Sequence, residues 1–244
     1  MKNYGIIVQA RAGSTRCPCK IHYEILGKPM LYHQLMRLKS AGFENLAVAT
    51  TVLENDDITE KICSSAGVDC FRGDVDDVMK RYIESAEFFG FETVIRVGGD
   101  DPLIDPQCIK KLIERHRQKP SNLIYASHRK GWIYGTAAEL FELNALADAY
   151  PSAEKADREH VVTFLRKSPL FTKEALTPEE NILIRDDIYL SVDYQEDLDL
   201  ITQILEYFGT KNCLHTFSQR QLVELYDSGM LTIMNKHLHD GFGD

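Results

Sequence analysis

This 244-residue chain is informative first for what it lacks. No apolar run approaches the ~18 residues of a membrane-spanning helix, so no membrane partner is expected. A basic surplus is missing: 28 Lys and Arg stand against 37 Asp and Glu, a net charge of −9. That balance argues against a general nucleic-acid binder, yet leaves room for a nucleotide substrate held by a local cluster of cations. There is no Gly-x-x-x-x-Gly-Lys-Ser/Thr loop and no Gly-x-Gly-x-x-Gly turn, which removes the two commonest phosphate-binding fingerprints. The six cysteines show no zinc-like spacing; Cys17, Cys19 and His22 lie close together but lack a fourth ligand. Met1-Lys2-Asn3 runs straight into an apolar strand pattern with no leader, so free thiols in a reducing cytoplasm are expected. Repeats, low-complexity segments and Pro/Gly-rich linkers are also missing. A single domain over residues 1–244, with a helical tail from about residue 209, is the expected organisation.

What is present is an alternation of strand and helix patterns. Tyr4-Gly5-Ile6-Ile7-Val8 and Leu46-Ala47-Val48-Ala49-Thr50 are continuously apolar, as strands covered on both faces must be. Further strands are expected at Val68–Phe71, Thr93–Val97 and Leu123–Ala126. Between them, apolar residues at helical spacing predict helices over Met30–Ser40, from Asp56-Asp57 to Gly67, over Val75–Phe89 and over Pro106–Gln118. Such β-α-β units imply a three-layer α/β/α sandwich with a mainly parallel sheet, whose ligands bind beyond the carboxyl ends of the strands. The second half is less regular. It predicts a strand over Tyr134–Leu140, helices over Leu143–Tyr150 and Asp157–Lys167, a strand over Ile188–Val192, a strong helix over Gln195–Phe208 and one more helix from Ser218. His237 and His239 read as solvated surface.

Two groups of residues suggest chemistry. The first is the stretch after the first strand, Gln9-Ala10-Arg11-Ala12-Gly13-Ser14-Thr15-Arg16-Cys17-Pro18-Cys19-Lys20. Backbone N–H groups around Gly13 can face a concavity, while Arg11, Arg16 and Lys20 can neutralise phosphate oxygens. A solvated basic turn is the competing reading. The second group is acidic. Asp100, in Gly98-Gly99-Asp100-Asp101-Pro102, follows the fourth strand, where Gly98 and Gly99 let the backbone approach a ligand; Asp193 follows the Ile188–Val192 pattern. Two carboxylates near a polyphosphate suit Mg²⁺, which takes one or two protein oxygens and fills its octahedron from phosphate and water. Alternatively, each Asp caps the helix that follows it.

Taken in order, these motifs resemble the sugar-activating cytidylyltransferases, including the Kdo and acylneuraminate enzymes and, most nearly, the branch of spore coat polysaccharide biosynthesis protein F. The resemblance runs from the loop just quoted through Ala49-Thr50-Thr51, Phe71-Arg72-Gly73, Asp76-Asp77-Val78 with Arg81-Tyr82, Gly99-Asp100, Pro102-Leu103-Ile104-Asp105-Pro106, Arg158-Glu159-His160-Val161, and Ser191-Val192-Asp193 with Glu196-Asp197-Leu198. It covers roughly residues 4–208. It implies the nucleotide-diphospho-sugar transferase fold, CTP as donor, a small-molecule acceptor, Mg²⁺ as cofactor and a homodimer. By the same resemblance Arg11, Ser14 and Lys20 hold the nucleotide, Asp100 and Asp193 bind Mg²⁺, and Arg81 lies near the nucleotide pocket. Acceptor contacts are expected from Glu139, Arg158 and His160. Helix packing is the competing role for His160, and Glu159 suits a first helical turn.

The chain departs from the family pattern where Cys17 and Cys19 replace the usual Leu and Gly, where Gly98 replaces the Gln of Kdo enzymes, and where Ala137 replaces an Asp. The resemblance implies in-line attack of an acceptor oxygen on the α-phosphorus with loss of pyrophosphate, a reaction served by positioning and charge neutralisation. No general base is evident.

Overall fold

The structure is a computed structural model and describes residues 3–13 and 17–239. Strand β1 (Tyr4–Gln9) leads through the cationic loop into a short hairpin, β2 (Glu24–Ile25) and β3 (Lys28–Pro29), and then α1 (Met30–Ser40). The chain continues through β4 (Leu46–Thr51), α2 (Asp57–Ala66), β5 (Asp69–Gly73), α3 (Val78–Phe89), β6 (Thr93–Gly98), α4 (Pro106–Gln118) and β7 (Leu123–Ala126). The second half carries β8 (Glu139–Glu142), α5 (Leu143–Ala149), α6 (Lys155–Glu159), α7 (Thr163–Lys167), β9 (Lys173–Leu176), α8 (Gln195–Thr210) and α9 (Gln219–Asp227).

The main sheet has the order β5-β4-β1-β6-β8-β7-β9. Every adjacent pair is parallel except the two made by β8, which runs against both β6 and β7. Side chains alternate across the sheet and define two cores. Ile6 and Val8 face the layer of α1, α2, α4, α8 and α9, whereas Ile7 faces α3, α5 and α7. This is the expected three-layer α/β/α arrangement.

The first half matches the sequence reading closely: α1 has the predicted bounds, and Gly67 ends α2 in the left-handed region. α3 starts later than expected, at Val78, because the Asp77 side chain accepts from Lys80 N and fixes the start there. The second half requires four corrections. The strand expected over Tyr134–Leu140 begins only at Glu139, because Gly135, at φ +84°, bends the chain away from the sheet. The helix expected over Asp157–Lys167 is two short helices, broken where Val161 takes φ +57°, an unfavourable angle for a β-branched residue, with its side chain fully buried. Ile188–Val192 is not a ladder strand; it meets Tyr134 through a single bridge, Tyr134 to Tyr189. β9, an edge strand parallel to β7, was not anticipated. Among the described residues, no helix is long and apolar enough to cross a membrane.

Candidate active site

A cleft of about 600 Å³ opens over the carboxyl ends of β1 and β6. On one side it is lined by the cationic loop, and on the other by the segment between β7 and β8. Two glycines make the geometry feasible. A Cβ on Gly99 would lie 2.8 Å from both Gln9 O and Ala10 Cβ, so only glycine lets the turn after β6 pack against the end of β1. A Cβ on Gly135 would collide with Ser191 N and Leu190 C. Its absence lets Leu190 N donate to Tyr134 O at 3.0 Å.

The loop is anchored from below. Asp56, 1% exposed, accepts from Ala12 N at 2.7 Å and also receives the Thr51 hydroxyl. It therefore fixes the loop rather than capping α2 with its side chain. Cys19 occupies the left-handed region at φ +57° and starts the short 3-10 helix Lys20–His22, turning the Lys20 ammonium inward. His22 is held by Thr59 Oγ1, so it is not drawn to the two cysteines. Burial keeps the Cys17 thiol above its ordinary pKa, against the pull of Lys20.

Lys20 is the meeting point. It is 8% exposed, and its Nζ lies 3.3 Å from Asp100 Oδ2 and 3.4 Å from Asp193 Oδ1, while it also donates to Val192 O. Thus side chains eighty and more positions apart in sequence converge on one cation. Asp193 arrives without a strand because the Asp100 carbonyl accepts from Val192 N at 2.8 Å. Neither carboxylate caps a helix. α4 is capped by Asp105, which accepts from Gln107 N. At the start of α8 it is Asp197 that receives the N–H groups of Asp193 and Tyr194. α1 adds a brace: Gln34 Nε2 donates to Gly98 O and Asp101 O.

The other predicted residues separate clearly. Arg11, Gly13, Arg81 and Gly99 line the cleft. Arg11 Nη1 donates to Val75 O at 3.3 Å, and Arg81, almost wholly buried, donates to Asp74 O. Ser14 and Arg16 lie outside the described residues. Glu139 and His160 also line the cleft. Glu139 bridges Arg96, at 2.9 Å, and Arg166. His160 reaches the cleft because the helix breaks just after it. Arg158 does not line the cleft; its guanidinium stacks on Tyr150 and pairs with Asp77 at 3.4 Å, joining α6 to the start of α3.

Sequence reasoning missed Arg96, Asp101, Tyr134, Glu159 and Ser191, all of which line the cleft. Arg96 had a signal, since it is the one charged residue within an apolar strand. Burial, with the Asp100 carboxylate beside it, pushes the Asp101 carboxyl well above the usual carboxylate range. The lone Trp132 is buried, its indole donating to Leu176 O. His239 does not lie on solvated surface; it stacks on Tyr189 and bonds Asp197.

A mostly parallel sheet, a cationic loop after β1 and a carboxylate pair at the strand ends are the parts of a nucleotidyltransferase. Comparison with known proteins makes this specific: the chain belongs to the cytidylyltransferase family, whose model matches residues 5–227. It is 34% identical over 230 residues to an uncharacterized protein of Methanocaldococcus jannaschii, covering 93% of this chain and 91% of that one. It is 27% identical over 218 residues to the spore coat polysaccharide biosynthesis protein SpsF of Bacillus subtilis, covering 86% of this chain and 90% of that one. Among solved structures, a cytidylyltransferase from Leptospira borgpetersenii superposes with a TM-score of 0.86 at 28% identity, covering 93% of this chain and 95% of the other.

Proposed function

We propose that the enzyme transfers CMP from CTP to a hydroxyl of a sugar or sugar-acid acceptor, releases pyrophosphate, and requires Mg²⁺. The observation that carries this reading is the convergence of Asp100 and Asp193 on the Lys20 ammonium, beside the loop that follows β1. Two carboxylates and a carbonyl that already gather around one cation are hard oxygen donors suited to Mg²⁺. Among the described residues no cluster of three His, Cys, Asp or Glu could hold a metal alone, which fits an ion that borrows its remaining ligands from the nucleotide. When bound, Mg²⁺ would supply positive charge to the α-phosphate and the attacking oxygen.

The chain's own residues do the rest. Arg11 and Lys20 neutralise the β- and γ-phosphates and the departing pyrophosphate. The backbone after β6, held close to β1 by Gly99, sets the depth at which the nucleotide lies. Tyr134, Glu139 and His160 form the opposite wall and hold the acceptor in line with the α-phosphorus. Glu139 is fixed between two arginines and so orients a hydroxyl rather than removing its proton. Surface-polysaccharide precursor synthesis, the role named for the Bacillus subtilis relative, is the setting in which such a product would be used.

The test is pyrophosphate release with CTP, Mg²⁺ and a panel of sugars and sugar acids. Asp100→Ala and Asp193→Ala should each lower turnover by about 10³-fold or more. Normal turnover in both variants would remove the carboxylate pair from the reaction. Release from another nucleoside triphosphate at equal efficiency would remove the CTP assignment.

A further inference from the structure

The structure links the proposed metal carboxylate to a part of the chain beyond the residues that the family model matches. That match ends at residue 227, whereas Asn235 and His239 come later. Both reach back to one buried carboxylate. Asp197 is 1% exposed, and its Oδ1 accepts from Asn235 Nδ2 at 2.8 Å and from His239 Nε2 at 2.7 Å. Its other oxygen, Oδ2, accepts from the backbone N–H groups of Asp193, at 2.9 Å, and Tyr194, at 2.8 Å.

The same tail segment grips a second route to Asp193. Asn235 Nδ2 also donates to Tyr189 O at 3.1 Å, and the His239 ring lies parallel to the Tyr189 ring. Tyr189 in turn donates its hydroxyl to Asp193 Oδ2 at 3.0 Å. On its other face Tyr189 stacks on Tyr134, which lines the cleft, with ring centroids 4.2 Å apart.

We infer that Asn235 and His239 are positioning residues: the tail locks Asp197 and Tyr189, and these two fix the backbone and the side chain of Asp193 in the direction a divalent cation needs. Ile188–Val192 lacks a sheet ladder, so rigidity that a strand would ordinarily lend to Asp193 must come from elsewhere. The tail supplies it with three hydrogen bonds, two from Asn235 and one from His239, onto residues that are themselves buried. The inference rests on the reading of Asp193 as a metal ligand given above. Partners that orient a ligand from behind typically change metal affinity by about 10–100-fold.

The experiment measures Mn²⁺ binding to the full chain with saturating CTP and no acceptor, by the enhancement of water-proton relaxation when the ternary complex forms, together with the thermal midpoint of each variant. His239→Phe keeps a ring against Tyr189 and removes the N–H to Asp197. Asn235→Ala removes the second donor through a different side chain, so failure of one variant to fold leaves the other. Each should weaken Mn²⁺ binding about tenfold. His239→Gln, which can again donate to Asp197, should recover most of that loss. If both substitutions lower the thermal midpoint yet bind Mn²⁺ within twofold of the wild type, the tail only adds stability and the inference is overturned. Asp193→Asn is the control. Loss of Mn²⁺ there with no effect of the tail variants defeats this inference alone; unchanged Mn²⁺ binding there defeats the metal reading and this inference with it.

Discussion

The two halves of the sheet solve the same problem differently. In the parallel half, site residues lie at or just beyond the ends of β1 and β6, two strands fixed by their ladder with each other and with β4. In the mixed half, β8, β7 and β9 serve as a platform, while the site residues lie on irregular segments: Tyr134 in the bend at Gly135, His160 at a helix break, and Ser191 and Asp193 on a strand-like run with one bridge. On the proposed reading, the parallel half offers charge to a phosphate chain whose shape does not vary among nucleotides, while the mixed half adds Asp193 to the metal and offers shape and hydroxyl partners to an acceptor. Ladder rigidity suits the first task, and adjustable loops suit the second.

The comparison can be broken most forcefully at Lys20. Lys20→Met should lower turnover by about 10²–10³-fold, through loss of charge at the phosphates, with little effect on the acceptor KM. A change confined to acceptor KM, read from initial rates of pyrophosphate release, would place Lys20 in the other half. Glu139→Ala probes the mixed half. It leaves the Arg96 guanidinium, 23% exposed, without its carboxylate, and should cost about 2–4 kcal/mol in denaturant unfolding. It should also raise acceptor KM while CTP KM holds.

Acidification probes the junction between α1, which packs on the sheet, and the segment after α8. His33 on α1 gives Nε2–H to Ile25 O at 2.7 Å, so its Nδ1 accepts from His215 Nε2, 3.1 Å away. Burial pushes both imidazoles down, His215 to about 4. Above the ordinary histidine pKa of 6.5 the neutral pair contributes fully. Between 6.5 and about 4 the unfolded chain gains protons that the folded pair resists, so stability falls by on the order of 1–2 kcal/mol, after discounting for the partial exposure of His215. Urea midpoints at pH 7 and pH 4.5, compared with those of a His215→Gln variant, measure this. The smallest effect is expected at Cys19. Its φ of +57° favours glycine, so Cys19→Gly should stabilise the chain by about 0.5–1 kcal/mol, visible as a small rise in thermal midpoint.

The same contrast explains what could be read from sequence. Strands such as Ile6-Ile7-Val8 and helices such as α1 announce themselves because their periodicity is local. Arg11, Lys20 and Asp100 are legible for the same reason, each lying just beyond a strand that is plain in the sequence. Arg158 reads as an acceptor contact as part of the Arg158-Glu159-His160 motif, yet two positions at the end of α6 put the two side chains on different faces, and Arg158 turns to Tyr150 and Asp77. His239 looked solvated because nothing near it in sequence discloses Asp197, forty-two positions earlier. Glu139 looked like a strand interior because the bend that starts β8 late depends on Gly135 meeting Leu190, a contact between distant segments. Residues that owe their position to long-range closure leave no periodic trace.

The reversed direction of β8 has a wider meaning. β7 rises toward the cleft and β8 descends from it, so residues 127–138 form a canopy whose two feet stand side by side on the same sheet edge. Such a canopy can be exchanged, lengthened or trimmed while both feet stay planted, and changing its length adds little closure entropy. On the proposed reading of this wall as the acceptor's, new acceptors could be recruited during evolution by rewriting one short stretch of sequence while the residues at the ends of β1 and β6 stay unchanged.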